Sequence, residues 1–139
     1  MRILLPVDGS AGSVAAVQYI IRKHAAAAPT ELHVLNVQAP LPYAATSLVD
    51  SATVKDFHLE EGNKALANAR ALLDKAGIQY ESHVAIGEPG EVIATYTEQK
   101  NCDEIVMGTR GLGRIAELLL GSVAYKVLQL SKVPVTLVK

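Results

Sequence analysis

Two hydrophobic rhythms take turns along this chain. Short, dense apolar runs cover residues 2–7, 31–37, 79–86, 103–107 and 134–138, and these read as strands. Between them apolar residues recur every three or four positions, as one face of a helix requires. The first such stretch begins at an N-cap on Ser10 or Ser13 and gathers Val14, Val17, Ile20, Ile21 and His24 on one side. The second runs from Ser51 to about Ala76, with Ala65, Leu66, Ala69, Leu72, Leu73 and Ala76 as its stripe and Gly77 as its C′ residue. A third starts at Pro89, which suits a first helical turn, and carries Val92, Ile93 and Tyr96. The last runs from Ser122 to about Leu130 and is expected to bury Val123, Val127 and Leu130. Strands alternating with helices of these lengths predict an α/β fold with a largely parallel sheet.

The strands differ in how wet they look, and that sets their order. Ile3 to Val7 and Ile105 to Met107 are almost wholly apolar, as central parallel strands covered on both faces must be. In residues 79–86, Tyr80, Val84 and Ile86 alternate with Glu81 and His83, so one face is expected in water. Pro134 confines the last strand to an edge or places the proline at the strand start. The expected arrangement is a doubly wound, five-stranded parallel sheet in the order 3-2-1-4-5, with helices on both faces. Its winding reverses between strands one and four, and ligands bind beyond the carboxyl ends of the strands at such a switch point. Two loops meet there, Asp8-Gly9-Ser10 and Gly108 to Gly113.

Composition narrows the picture. With 139 residues, half of them apolar, the chain suffices for one well-buried domain. A formal charge of −1 gives no electrostatic footprint for nucleic acid. Cys102 is the single cysteine, so no intrachain disulfide can form and a reducing compartment fits. Met1 runs almost directly into Ile3-Leu4-Leu5 without the layout of a signal peptide, and no apolar run approaches the ~20 residues that span a bilayer. A cytoplasmic location is the expectation. His24, His33, His58 and His83 are scattered without metal-ligand spacing, and no sequence-local nucleophile signature occurs. Residues 39–50, rich in proline and small side chains, fit neither element; a loop of that length is functional or mobile.

The chemistry concentrates in Gly108-x2-Gly111-x9-Gly121-Ser122, with a strand before it and a helix after it. Glycines at a strand's carboxyl end let the backbone turn and approach a ligand, and a helix start offers free amides to phosphate oxygens. The same glycines could instead serve only tight turns. Gly111-Leu112-Gly113-Arg114-Ile115-Ala116 also matches the dinucleotide pattern GxGxxA, yet no Asp or Glu follows Glu117 to take a ribose, and no Walker Gly-Lys-Ser/Thr occurs. A receiver-type phosphorylation site would need an Asp at the end of strand three, where Ile86-Gly87 stands. Asp8 has two readings: a ligand for ribose hydroxyls or for a Mg²⁺ carried by phosphates, or a structural residue that makes an Asx-type turn or caps the first helix. Arg110 and Arg114 can neutralise phosphate charge or simply sit in solvent.

The opening Ile3-Leu4-Leu5-Pro6-Val7-Asp8-Gly9-Ser10 and the closing segment from Met107 through Ser131 to Pro134-Val135 resemble the universal stress protein family, in its ATP-binding branch, over essentially the whole chain. The resemblance implies ATP at the switch point. Pro6, Val7 and Asp8 would line the ribose and adenine side, and Val37 would offer backbone groups to the adenine. Met107, Gly108, Gly111, Gly121, Ser122 and Val123 would surround ribose and phosphates. Thr109, Arg110 and Gly113 belong to the same loop, whose amides would face the phosphates. It further implies a homodimer through the last strand, and the exposed apolar edge from Val133 to Lys139 independently calls for pairing or cover. Three functions compete: a nucleotide-binding stress regulator, a slow ATPase or phosphotransferase, and a dimeric scaffold that needs no nucleotide.

Overall fold

In the computed structural model, which describes residues 1–26, 31–109 and 120–139, ten elements follow one another. They are β1 (Arg2–Pro6), α1 (Ala11–Ala26), β2 (Glu31–Gln38), α2 (Tyr43–Thr46), α3 (Ser51–Lys75), β3 (Glu81–Ile86), α4 (Pro89–Gln99), β4 (Glu104–Gly108), α5 (Ser122–Leu130) and β5 (Val135–Val138). The five strands form one all-parallel sheet in the order β3-β2-β1-β4-β5. Leu4 lies beside His33 on one side and Ile105 on the other, so the two most apolar runs are central as their composition demands.

Alternation along the strands divides the core in two. Ile3, Leu5 and Val7 point to one face and pack with Val17 and Ile20 of α1 and Leu66, Ala69 and Leu73 of α3. Leu4, Leu35, Ile105 and Met107 point to the other and meet Ile93 of α4 and Val127 of α5. The sheet is doubly wound. The edges are wetter: Glu81 and His83 are exposed on β3, and every residue of β5 is half-buried.

Local chemistry sets the helix ends. Ser10 caps α1, its Oγ accepting from the Ser13 amide at 3.3 Å. The side chain of Asp50 caps α3 and that of Glu88 caps α4, with Pro89 in the first turn. Gly77 takes φ +71° after α3, and the Ile78 amide reaches back to the Leu73 carbonyl at 3.0 Å. Three details depart from the sequence reading. Residues 39–50 contain a short helical turn, α2. The buried stripe of α3 extends past Ala65 to Gly62 and His58, where a glycine and a histidine disguise the i, i+4 pattern. Gly62 is required because a Cβ there would lie 2.4 Å from Cγ1 of Val84. Finally Leu130, at the open end of α5, is 39% exposed rather than buried.

Candidate functional site

The carboxyl ends of β1, β2 and β4 and the amino ends of α4 and α5 enclose a cavity of about 410 Å³, at the point where the winding reverses. On the β1 side the wall is Pro6, Val7 and Asp8. As β1 leaves the sheet, the Val7 amide donates to the Leu35 carbonyl at 2.8 Å, and Nδ2 of the buried Asn36 donates to the Val7 carbonyl at 2.8 Å. Gln38 Nε2 in turn donates to Asn36 Oδ1 at 2.7 Å, so the ends of both strands are held by a polar chain.

Asp8 is fixed by the turn that follows it. The Ser10 amide donates to its Oδ1 at 2.9 Å, and the Ser13 hydroxyl donates to the same oxygen at 2.7 Å. The Asp8 amide donates back to Ser13 Oγ at 2.9 Å, with Gly9 at φ +85° completing the turn. The Asx-turn reading of Asp8 therefore holds, and the carboxylate still borders the cavity. Among the described residues no group of three or more His, Cys, Asp or Glu side chains could hold a metal ion. A divalent ion here would take one protein carboxylate and the rest of its shell from phosphate and water, a pattern that suits Mg²⁺.

On the β4 side the wall is Met107, Gly108 and Thr109, continued by Gly121, Ser122 and Val123. The fold itself uses two of the amides expected to face phosphate: Thr109 donates to the Val138 carbonyl at 3.1 Å, and Gly121 donates to the Thr109 carbonyl. Gly121 is the N-cap of α5, with φ −71° and ψ 161°, and provides no side-chain acceptor to its helix. The amides of Ser122 and Val123 are thus the helix-start donors at the cavity wall. Gly108 is needed for a reason other than a ligand: a Cβ there would lie 2.6 Å from the backbone C and O of Gly12 in α1.

Of the residues singled out in the sequence, Pro6, Val7, Asp8, Val37, Met107, Gly108, Thr109, Gly121, Ser122 and Val123 all line this cavity. Arg110, Gly111 and Gly113 lie outside the described residues, as do Arg114 and the GxGxxA match. Sequence reasoning missed Ser13, Leu35, Ala39, Pro89, Ile93 and Ala124. Leu35 shares a strand face with Val37, and Pro89 and Ile93 share a helix face, so periodicity would have found them once α4 was placed over the cavity. The walls divide by chemistry. Leu35, Val37, Ala39, Pro89 and Ile93, from β2, the residue after it and α4, are all apolar. The polar residues Asp8, Ser13, Thr109 and Ser122 come from the chain after β1 and β4 and the starts of α1 and α5, where they stand among Pro6, Val7, Met107, Val123 and Ala124. Cys102 lies buried in the core under α4, and burial pushes its thiol pKa up, as befits a packing residue.

The family model described as the universal stress protein family matches residues 1–139. The chain belongs to the universal stress protein family. Universal stress protein YxiE of Bacillus subtilis is 32% identical, over 99% of this chain and 98% of that one. Among solved structures of the fold, MJ0577 of Methanocaldococcus jannaschii superposes with a TM-score of 0.84 at 27% identity, covering 99% of this chain and 94% of that one. A universal stress protein crystallised in complex with cAMP superposes with a TM-score of 0.73 at 26% identity, covering 100% of this chain and 97% of that one. The family thus includes a member caught with an adenine nucleotide. As for membranes, no helix among the described residues is long and apolar enough to cross one.

Proposed function

We propose that this protein is an ATP-binding regulator of a cytoplasmic stress response, a single nucleotide-binding domain whose occupied state is the signal. The observation that carries this reading is the division of the cavity: an apolar end at one side and the start of α5 at the other. A purine would lie with one face against the apolar lining of Leu35, Val37, Pro89 and Ile93, with the backbone of Val37 available to its edge and its other face toward solvent. Asp8 would accept from ribose hydroxyls. The phosphates would rest on the Ser122 and Val123 amides, where the helix dipole favours negative charge and the Ser122 hydroxyl adds a donor. The cAMP held by a relative supports adenine as the base, and the resemblance of the Gly108-x2-Gly111-x9-Gly121-Ser122 spacing to the ATP-binding branch of the family supports the triphosphate. A Mg²⁺ accompanying the phosphates would find the Asp8 carboxylate beside it and would screen their charge.

The protein binds rather than turns over its ligand. Asp8 is the one carboxylate among the described lining residues, and one carboxylate shared between the Ser10–Ser13 turn and the bound ligand suits holding a nucleotide better than activating water on it. Protein purified without added nucleotide and then denatured should release an adenine nucleotide that mass spectrometry identifies as ATP. Empty protein that also ignores added ATP would refute the reading.

The working form is a homodimer paired through Val133 to Lys139. Strand β5 is an edge with every residue half-buried, and Tyr125 on the adjoining α5 is 59% exposed, so an unpaired edge of this kind risks aggregation. Sedimentation at micromolar concentration should give twice the chain mass of 14.7 kDa. A monomer would contradict the pairing.

A further inference from the structure

Between β2 and α3 the chain leaves the cavity wall at Ala39 and continues in an unusual composition. Residues 39–49 contain no Asp, Glu, Lys, Arg or His, although solvated loops are ordinarily polar. Helix α2 within them buries no residue. Tyr43 is 84% exposed and Leu48 97%. The segment is nonetheless organised. The Ala45 amide donates to the Pro42 carbonyl and the Ser47 amide to the Tyr43 carbonyl, each at 2.9 Å.

Both ends are anchored. Gln38 pairs with Ile86 and accepts from the Gly87 amide at 3.0 Å, while the Asp50 carboxylate accepts from the Thr53 amide at 2.7 Å. Pro40 and Pro42 stiffen the approach to α2 by fixing two φ angles. Ala39 is itself part of the cavity wall, and Tyr43 stands four residues on, within about 14 Å along the chain.

We propose that residues 39–49 are a strap that closes over the base end of the cavity, with the Tyr43 ring stacking on the purine. Its chemistry matches that end alone. A strap without cations cannot offset phosphate charge but suits an uncharged aromatic base, and closing would cover apolar surface that now faces water. Tyr43 is the one aromatic residue of the segment and opens α2 four residues from Ala39, whereas the exposed Leu48 lies two residues from the Asp50 cap at the other end. The inference rests on the nucleotide reading of the cavity.

The test compares wild type, Y43A and Y43F by titration calorimetry with Mg-ATP, together with chymotrypsin cleavage at Tyr43 in wild type with and without ATP. Because Tyr43 is exposed, neither substitution should alter the melting temperature of the nucleotide-free protein. The expected result is a Kd about tenfold weaker for Y43A, at the lower end of what base–aromatic stacking contributes, and an unchanged Kd for Y43F. ATP should also slow cleavage at Tyr43. If wild type binds ATP but Y43A binds equally well, or Y43F weakens as much as Y43A, or cleavage is unaffected by ATP, the strap is overturned while the nucleotide site stands. If wild type gives no heat with ATP and no protection, both fall.

Discussion

Gly108→Ala is expected to lower the midpoint of thermal unfolding by about 10 °C, whether or not nucleotide is present. The single added carbon would lie 2.6 Å from both the carbonyl carbon and the oxygen of Gly12, and 2.9 Å from its Cα. These are backbone atoms in the first turn of α1, so no rotamer change can make room. Either α1 moves away from β4 or the end of β4 bends. Forced overpacking of this sort costs about 3 kcal/mol, the upper part of the usual range, because the obstacle is main chain rather than a flexible side chain. Gly108 also borders the cavity, and α1 carries Ser13 on its wall. Differential scanning calorimetry of the substituted protein checks this, and an unchanged midpoint would mean that β4 and α1 are not packed this closely.

The second large effect separates binding from folding. Gly121→Val should leave the protein folded and abolish its response to ATP. With φ −71° and ψ 161° the residue occupies extended backbone that valine adopts readily. The isopropyl group would stand in the cavity wall at the helix cap, next to the amides proposed to take the phosphates. Ligand at a hundred times its dissociation constant stabilises a folded protein by ~2.7 kcal/mol, so wild type should gain about 8 °C that the variant lacks. Gly77→Ala is the control with the opposite profile. Its φ of +71° strains any L side chain, although no atom stands within 4 Å of the new Cβ. It should cost about 1 kcal/mol of stability and leave ATP affinity unchanged. Equal ATP-induced shifts in wild type and folded Gly121→Val would put the phosphates elsewhere.

The two glycines show how far the sequence could be read. The strand order was legible because burial leaves a compositional trace: Ile3 to Val7 has no polar residue, while Glu81, His83 and Pro134 mark edges. The cavity was legible because strand order alone locates a switch point, and the residues at its two loops are distinctive. What the sequence concealed were requirements set by neighbours distant along the chain. Gly108 looked like a place where ligand approaches, but the obstacle to a side chain is Gly12. Gly121 looked like a free donor, but its amide is bound to the Thr109 carbonyl. Asn36, which holds Val7 in place, lies in a strand that reads as simply buried, and nothing local marks its side chain as a clamp. Gly62 and His58 continue the buried face of α3 with residue types that hydrophobic periodicity does not count.

The central claim is that the start of α5 holds the phosphates of a bound adenine nucleotide and that the β2–α4 end holds its base. A crystal structure with Mg-ATP tests it most directly. The expected map shows phosphate oxygens about 3 Å from the amide nitrogens of Ser122 and Val123, with the purine against Val37 and Ile93. Phosphates away from α5, or a cavity that stays empty at saturating ATP, would contradict the account.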